Sequence, residues 1–301
     1  MYENIEFVVC AAGECTRNYP HTKAVAHKSL LPMGDKRMID YVLQDIIKIG
    51  GRHITFVCSN QKTINMFKNA FTFDKSVIQK LNDKGYPQLA DIISETILPK
   101  DVDLKFVIQK EPLGTAHALY CARHAIKNRH AVLIFPDDIW LTKDKKNPHI
   151  KRLLDAFLKN PKTALITAIW REDVSENAVL LNNRIIEKPN QIFTHISGWD
   201  PNVLPNEMIK FMVRQGPTRI QQAKKTKKEW LYMDIINDFL DAGGEQKGFK
   251  VEMFMKKDDV ELFDSGNLFV YEQSQLKMLL VHSKNKKENQ KLAKQLLQQE
   301  K

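Results

Sequence analysis

The chain has 301 residues, of which 43% are hydrophobic and 27% are charged. This composition is typical of a folded globular protein and excludes a mainly disordered chain, which requires low hydrophobicity with high net charge. The 46 basic and 36 acidic residues give a formal net charge of +10. The length suffices for one large core or two modest domains.

Lysines cluster at two places, within residues 224–228 and 284–287. A nucleic-acid-binding surface would be expected to interleave aromatic residues with the basic ones, and neither cluster does so. An enzyme that handles polyanionic substrates also benefits from a positive field. We therefore predict no nucleic-acid partner, and only the charge supports the alternative.

The sequence also indicates the cellular compartment of the protein. The apolar runs, such as residues 5–12, are far shorter than the roughly 20 residues that a membrane span requires. The first residues lack the basic segment of a secretory signal. The four cysteines show neither metal-finger nor CxxC spacing; they are Cys10, Cys15, Cys58 and Cys121. We predict a cytoplasmic protein with free thiols and no membrane association.

Up to residue 170, short apolar runs alternate with segments of helical periodicity. The predicted strands are residues 5–12, 53–59, 104–109, 131–136 and 163–170, and the predicted helices are residues 37–49, 115–127 and 150–158. This alternation indicates a mostly parallel sheet with right-handed crossovers. Ligands bind beyond the carboxyl ends of such strands, so the loops after residues 12, 109 and 136 should form one site.

After residue 170 the pattern changes. Short strand-like pieces are predicted at 178–181, 184–189 and 191–197, a longer strand at 248–256, and helices at 206–215, at 229–241, after residue 267 and at 284–299. The last helix has an apolar stripe that contains Leu292, Leu296 and Leu297. Because no Pro- or Gly-rich linker interrupts the chain, we predict one domain over residues 1–282 and a C-terminal helical extension over residues 283–301.

The loop after the first strand has the residues of a phosphate-binding segment. Gly13 ends the strand, and backbone N–H groups approach phosphates most easily where side chains are small. Arg17 offers planar donors and Lys28 a mobile charge. The loop matches neither the GxxxxGK[ST] nor the GxGxxG pattern, so it is neither a P-loop nor a Rossmann dinucleotide site.

This segment resembles the first signature of the sugar-1-phosphate nucleotidylyltransferases, AAG-x-GTR-xx-P-x-T-…-K-x-LLP-…-K-P. The matching residues are Ala11, Ala12, Gly13, Thr16, Arg17, Pro20, Thr22, Lys28, Leu30, Leu31, Pro32 and Lys36. Four further segments match the family in order: QKEPLGTAHA at 109–118, LIFPDD at 133–138, EKP at 187–189 and DSG at 264–266. Each is short, but five matches in the correct order make the resemblance specific.

The resemblance implies a fold and a reaction. The fold is α/β, a Rossmann-like mixed and mostly parallel sheet flanked by helices, of the nucleotide-diphospho-sugar transferase type. The reaction is a Mg²⁺-dependent attack of a sugar 1-phosphate on the α-phosphorus of a nucleoside triphosphate, with release of pyrophosphate. The TKA at 22–24 is most similar to bacterial members that convert UTP and glucose 1-phosphate into UDP-glucose. Self-association is also implied, because the family commonly forms homo-oligomers.

The resemblance assigns roles to individual residues. The nucleotide-binding set is Ala11, Ala12, Gly13, Cys15, Thr16, Arg17, Lys28, Gln109 and Gly114, and the sugar-phosphate set is Ala178, Glu187 and Lys188. The implied catalytic residues are Arg17, Lys28, Asp137 and Lys188, with Asp137 and Asp264 as ligands of Mg²⁺. Without the family, Asp137 would be a strand-end turn residue and Asp264 a helix N-cap.

Several positions depart from the family pattern. Cys15 stands where the signature has its second glycine, and His27 precedes Lys28 where proline is expected. Around the sugar site, Tyr-Gly is replaced by Asn177 and Ala178, and Gly-Arg-Tyr by residues 198–200. These changes leave open a thymidylyltransferase, a transferase for another sugar 1-phosphate, or a non-catalytic paralogue.

Overall fold

A computed structural model describes residues 2–25, 27–73 and 75–299. Its strands are β1 Ile5–Ala11, β2 Pro32–Met33, β3 Lys36–Arg37, β4 His53–Cys58, β5 Asp103–Ile108, β6 His130–Ile134, β7 Ile139–Thr142, β8 Thr163–Trp170, β9 Ala178–Leu181, β10 Arg184–Glu187, β11 Ile196–Leu204, β12 Lys250–Met255 and β13 Val260–Phe263. Its α-helices are α1 His21–Val25, α2 Met38–Lys48, α3 Gln61–Phe71, α4 Lys75–Asp83, α5 Pro87–Ser94, α6 Thr115–Ile126, α7 His149–Lys159, α8 Asn206–Thr226, α9 Tyr232–Phe239, α10 Leu268–Lys277 and α11 Lys286–Gln299. Within these described ranges, none of the helices is both long and apolar enough to cross a bilayer.

Seven strands form the central sheet, in the order β12-β8-β11-β6-β1-β4-β5. All neighbours are parallel except β11, which runs antiparallel to both β6 and β8. The first strand lies inside the sheet, where Val8 pairs with Thr55 on β4 and with Leu133 on β6. The predicted α/β fold with a mixed, mostly parallel sheet is confirmed.

Helices cover both faces of this sheet. Phe7 and Val9 of β1 point into a core shared with α2, α3 and α7, whereas Val8 points into a second core shared with α6, α8 and α9. Side chains alternate between the two faces of a strand, so a strand covered on both sides must be apolar at nearly every position. This explains why β1 appears in the sequence as a continuous apolar run.

Two predicted elements after residue 170 were wrong in extent. The strand expected at 191–197 lies instead at Ile196–Leu204, where it pairs with β8 on both sides of a bulge between Gly198 and Asn202. The helix expected to end at residue 215 continues to Thr226 through Gly216 and Pro217. A Cβ at Gly216 would lie 2.1 Å from the Tyr120 ring, so close packing on α6 extends the helix past its breaker residues.

The C-terminal helix α11 follows directly on α10 and the turn after it. Asn289 and Gln290 donate to the carbonyl groups of Leu279 and Leu280, at 3.0 and 2.7 Å. Leu292, Leu296 and Leu297 remain exposed. The division at residue 283 stays a prediction, and residues 300–301 of the predicted extension lie outside the described part of the chain.

Candidate active site

A cleft of about 480 Å³ lies at the carboxyl edge of the sheet. It is formed by the segments that follow β1, β5 and β6, so the predicted convergence of these three loops is confirmed. The predicted residues that line it are Ala12, Gly13, Cys15, Thr16, Arg17, Lys28, Gln109, Gly114 and Asp137. Ala11 does not line it, because this residue ends β1 and its side chain is buried in the core.

The loop after β1 has a left-handed turn at Cys15, with φ 57° and ψ 23°. Glycine adopts this conformation without a steric penalty, which is a physical reason for the second glycine of the signature. In this chain a cysteine adopts the left-handed conformation instead of glycine. A 2.7 Å hydrogen bond from Thr22 Oγ1 to the Cys15 carbonyl stabilises the loop. The Cys15 thiol lies 3.4 Å from the Gly13 carbonyl and lines the cleft.

His27 has a structural role beside the cleft. It is 2% exposed, and its Nδ1 accepts a 3.2 Å hydrogen bond from the Ser29 backbone N–H. Its ring also packs against Phe67, with the centroids 5.2 Å apart. Burial lowers the pKa of His27 to about 4, so the imidazole is neutral at physiological pH. The residue replaces a proline of the family pattern and holds the backbone that carries Lys28.

Three aspartates meet at the edge of the cleft. One carboxylate oxygen from each of Asp137, Asp138 and Asp264 lies within 4.8 Å of the others. Asp137 and Asp264 were expected to meet, and they do; Asp138 was not predicted as a partner. Asp264 does not cap α10, because the Asn267 side chain accepts from the Val270 N–H at that position. Burial and the charge of Asp137 raise the pKa of Asp264.

This cluster fits a divalent cation. Carboxylate oxygens are the ligands that hard cations prefer, and three of them within reach of one point form such a donor set. The Lys28 ammonium group forms an ion pair with Asp137 at the same place. This positive charge offsets part of the repulsion that Asp137 would otherwise exert on the other two carboxylates.

Behind the cluster, Asp138 lies beside the carboxyl group of Asp200, which the sequence did not identify as functional. Asp138 and Asp200 are 9% and 1% exposed, and one oxygen of each carboxyl group is buried with no hydrogen-bond partner in the described part of the chain. Burial and the neighbouring carboxylates raise the pKa of both groups. Asp200 also accepts a 2.8 Å hydrogen bond from the Phe135 N–H. The surroundings of these two groups therefore disfavour a negative charge on both of them.

The segment at the other end of the cleft is held by backbone pairing. The Trp230 N–H donates to the Leu113 carbonyl at 2.8 Å, and Ala116 donates to the Trp230 carbonyl at 3.0 Å. Gly114 lies between them with φ +100°, and a Cβ there would lie 2.3 Å from the Trp230 oxygen. The close approach of the Trp230 backbone therefore requires glycine. Gln109 Nε2 donates to the Gly114 carbonyl at 3.0 Å.

The predicted sugar-phosphate residues are arranged differently. Glu187 ends β10, which forms a separate two-stranded sheet with β9, and Lys188 follows it; neither residue is among those that line the cleft. Lys188 Nζ lies 2.7 Å from Glu176, with the two side chains 58% and 78% exposed, so its ion-pair partner is not Glu187. Partial burial and the charges of Asp234 and Glu229 raise the pKa of Glu187. Ala178 is buried at the start of β9.

The cleft lining includes residues that had not been predicted to act there, among them Asn18, His27, Asp138 and Glu229. Asp138 directly follows a predicted ligand, and this adjacency was the available signal. Asn18 falls at a variable position of the signature, and Glu229 comes from a segment far along the chain. Tertiary contacts alone bring Glu229 to the cleft, whereas Asn18 belongs to the loop after β1 itself.

The fold and the acidic cleft define a class of nucleotide-handling transferase. The family model for nucleotidyl transferases matches residues 7–192, and the chain belongs to this family.

Individual relatives within this family have more specific names. The chain is 29% identical to the UTP–glucose-1-phosphate uridylyltransferase of Bacillus subtilis over 152 residues, which are 50% of this chain and 49% of the relative. It thus spans about half the length of that relative. It is 30% identical over 264 residues to UTP–glucose-1-phosphate uridylyltransferase 2 of Staphylococcus saprophyticus, covering 80% of this chain and 88% of the relative.

A solved structure shows the same fold over almost the whole chain. The UDP-glucose pyrophosphorylase of Acinetobacter baumannii superposes with a TM-score of 0.76 at 22% identity. The superposition covers 97% of this chain and 99% of that one.

Proposed function

We propose that this protein transfers a uridylyl group from UTP to glucose 1-phosphate, forming UDP-glucose and releasing pyrophosphate. The observation that carries the proposal is one cleft lined by the phosphate loop, by Gln109 and by Asp137 and Asp138, with Asp264 completing an acidic triad at its edge. The names of the similar proteins support the choice of substrates.

The charged residues of the cleft suit the transfer of a nucleotidyl group. An oxygen of the sugar phosphate attacks the α-phosphorus in line with the departing pyrophosphate, so positioning and neutralisation of charge dominate the catalysis. We assign Arg17 to the β- and γ-phosphates, where its planar donors favour the departure of pyrophosphate. Lys28 then neutralises the phosphate under attack, and it must exchange its contact with Asp137 for one with the substrate.

We infer that Asp137 and Asp264 hold Mg²⁺, with Asp138 as a third oxygen donor nearby. Mg²⁺ at this position would neutralise charge on the phosphate oxygens as the transfer proceeds. Asp138 also lies beside the buried Asp200, and burial together with the neighbouring carboxylates raises the pKa of Asp138.

We assign the uracil base to the part of the cleft around Gln109 and Gly114. The amide nitrogen of Gln109 is engaged by the Gly114 carbonyl, which leaves the amide oxygen as an acceptor for the imide N–H of the base. Uracil and thymine present the same imide edge. A thymidylyltransferase therefore remains the nearest alternative, and the substrate assay must include dTTP.

We assign the sugar phosphate to Lys188, and the sugar hydroxyls to Glu187 beside the buried Ala178. Lys188 reaches this role only by releasing Glu176, to which it is paired at 2.7 Å. Its backbone N–H donates to the Asn177 carbonyl at 3.0 Å, so the substituted pair at 177–178 shapes the turn that carries Lys188.

The test is a pyrophosphate-release assay over a matrix of UTP, dTTP, ATP and GTP with several sugar 1-phosphates, with Mg²⁺ and with a chelator. We expect the highest kcat/KM for UTP with glucose 1-phosphate, and no turnover with the chelator. Lys188→Ala should remove most of the activity. Lys250→Ala, which removes another exposed ion-paired lysine, is the matched control. Turnover without metal, or normal activity of Lys188→Ala, would contradict the assignments.

Self-association and a cytoplasmic location stay predictions. The exposed leucines of α11 supply an apolar surface on which a second copy could pack. Sedimentation of the purified chain over a range of concentrations would decide whether it associates.

A further inference from the structure

Two buried polar side chains connect three loops of the cleft. Asn18, in the loop after β1, is 1% exposed, and Ser265, in the loop after β13, is 0% exposed. Asn18 Nδ2 donates to the Ser265 carbonyl at 3.1 Å, and Ser265 Oγ donates to the Asp137 carbonyl at 3.1 Å. This clasp, Asn18 with Ser265, therefore links the phosphate loop, the Asp264 loop and the Asp137 loop in one chain of hydrogen bonds.

The Asp137 and Asp264 loops carry like charges toward each other. Asp137 lies just before β7 and Asp264 just after β13, these two strands pair with Ile139 opposite Phe263, and the carboxylates meet beyond the end of that pair. Like charges at this separation repel, and that repulsion is strongest where water is scarce. The Ser265 hydroxyl acts directly against it, because it ties the residue next to Asp264 to the backbone of Asp137.

The loops joined by the clasp are also held internally. Ser274 Oγ donates to the Asp264 carbonyl at 2.7 Å, and the Gly266 N–H donates to the Asp264 carboxylate at 2.6 Å. Thr22 holds the turn at Cys15. Because each loop is stiff, a displacement at Asn18 or Ser265 moves a whole loop and the side chains it carries.

We propose that Asn18 and Ser265 are positioning residues. They hold Asp137 and Asp264 at the separation that one divalent cation requires, and they fix the position of the phosphate loop relative to these two aspartates. The part of the proposal that concerns UTP rests on the proposed function, whereas the part that concerns the cation does not. Partners that orient metal ligands typically change metal affinity or activity by about 10–100-fold when they are removed.

The first experiment measures Mn²⁺ binding to the purified full chain, from the electron paramagnetic resonance signal of the free ion, without nucleotide. We expect Ser265→Ala to raise the Kd for Mn²⁺ by about 10–100-fold and Ser265→Thr, which keeps the hydroxyl, to recover most of the affinity. Ser283→Ala is the matched control, since Ser283 is also buried and its hydroxyl bonds Asp35 at 2.8 Å, away from the cleft.

The second experiment approaches the clasp from Asn18. Asn18→Asp keeps the shape of the side chain but places a hydrogen-bond acceptor against the Ser265 carbonyl, so the bond between them is lost. We expect the half-saturating concentration of Mg²⁺ in the pyrophosphate-release assay to rise by about tenfold or more. Asn206→Asp is the matched control, because it removes a buried 2.7 Å bond from an asparagine amide to the Arg129 carbonyl, outside the cleft. Thermal melts of all five variants separate lost stability from lost positioning.

The outcomes distinguish this inference from the proposed function. Wild-type affinity for Mn²⁺ in folded Ser265→Ala, or no Mn²⁺ binding by the wild-type chain, overturns the clasp whatever the activity. Equal effects of Ser265→Ala and Ser283→Ala also overturn it, because the loss would then be general. A third outcome separates the two ideas: Ser265→Ala binds Mn²⁺ more weakly than the wild-type chain, while the wild-type chain releases no pyrophosphate from UTP. That outcome supports the clasp and contradicts the proposed function.

Discussion

The two ends of the candidate active site are built in different ways. The nucleotide end consists of loops that leave buried strands of the central sheet, and its polar groups are bonded to one another, as Asn18 is to Ser265. The sugar end consists of residues at one end of a short two-stranded sheet, where Lys188 and Glu176 form an exposed pair.

The difference between the two ends matches the distribution of charge on the proposed substrates. A triphosphate with a divalent cation requires many charged groups in fixed places, and preorganisation removes the cost of arranging them during the reaction. The sugar phosphate brings less charge, and the residue assigned to it must first leave another partner. We therefore expect changes at the nucleotide end to affect turnover or folding, and changes at the sugar end to affect mainly the KM for the sugar phosphate.

The largest effect should come from Asp137→Asn, which tests the acidic triad at the nucleotide end. Removing this charge weakens the cation site and releases Lys28, so kcat for pyrophosphate release should fall by about 10²–10³-fold. Asp101→Asn is the control, since Asp101 is exposed and pairs with Arg52 elsewhere. A kcat within a few-fold of wild type would remove the triad from the mechanism.

Gly114→Ala should show how rigidly the base segment is held. The new Cβ would meet the Trp230 backbone at a φ of +100°, so we expect a loss of about 3 kcal/mol in the free energy of unfolding, with a raised KM for UTP. Gly85→Ala is the control that separates backbone strain from packing, because Gly85 has a φ of +79° but open space around it. We expect this variant to lose only about 1–2 kcal/mol in the free energy of unfolding. Equal losses in urea titrations would show that the Trp230 contact is loose.

His27 predicts a pH dependence of stability at the nucleotide end. Its pKa falls from 6.5 to about 4 on folding, so its contribution is present above pH 6.5 and is lost as the pH falls through about 4. Between pH 7 and pH 5 the wild-type chain should lose about 2 kcal/mol more than His27→Asn, which cannot take up a proton there. Denaturant titrations at the two pH values measure this difference. Parallel losses in both chains would mean that His27 already titrates in the folded state.

The smallest effect should come from Glu176→Gln at the sugar end. This change frees Lys188 from an exposed ion pair, and such pairs are weak, so the KM for glucose 1-phosphate should fall by only about two- to fivefold. The KM for UTP and kcat should stay unchanged. Glu252→Gln, which frees Lys250 from a similar exposed pair, is the control. A higher KM in Glu176→Gln would mean that Glu176 itself assists the sugar phosphate.

The sequence by itself determined the family, the class of sheet and most of the nucleotide end. These features are local: a continuous apolar run defines a strand buried on both faces, and short signatures mark the loops that follow such strands. Arg17, Lys28, Gln109 and Asp137 could thus be assigned to one edge of the sheet from the amino-acid sequence, and all four line the cleft there.

Only the tertiary structure decided which distant groups meet. Asn18 reaches Ser265 across 247 positions of the chain, and Asp138 meets Asp200 in the core behind the cleft. The extension of α8 past Pro217 and the pairing of Lys188 with Glu176 were likewise beyond the sequence pattern. Such contacts depend on packing between remote segments, and local periodicity carries no information about that packing.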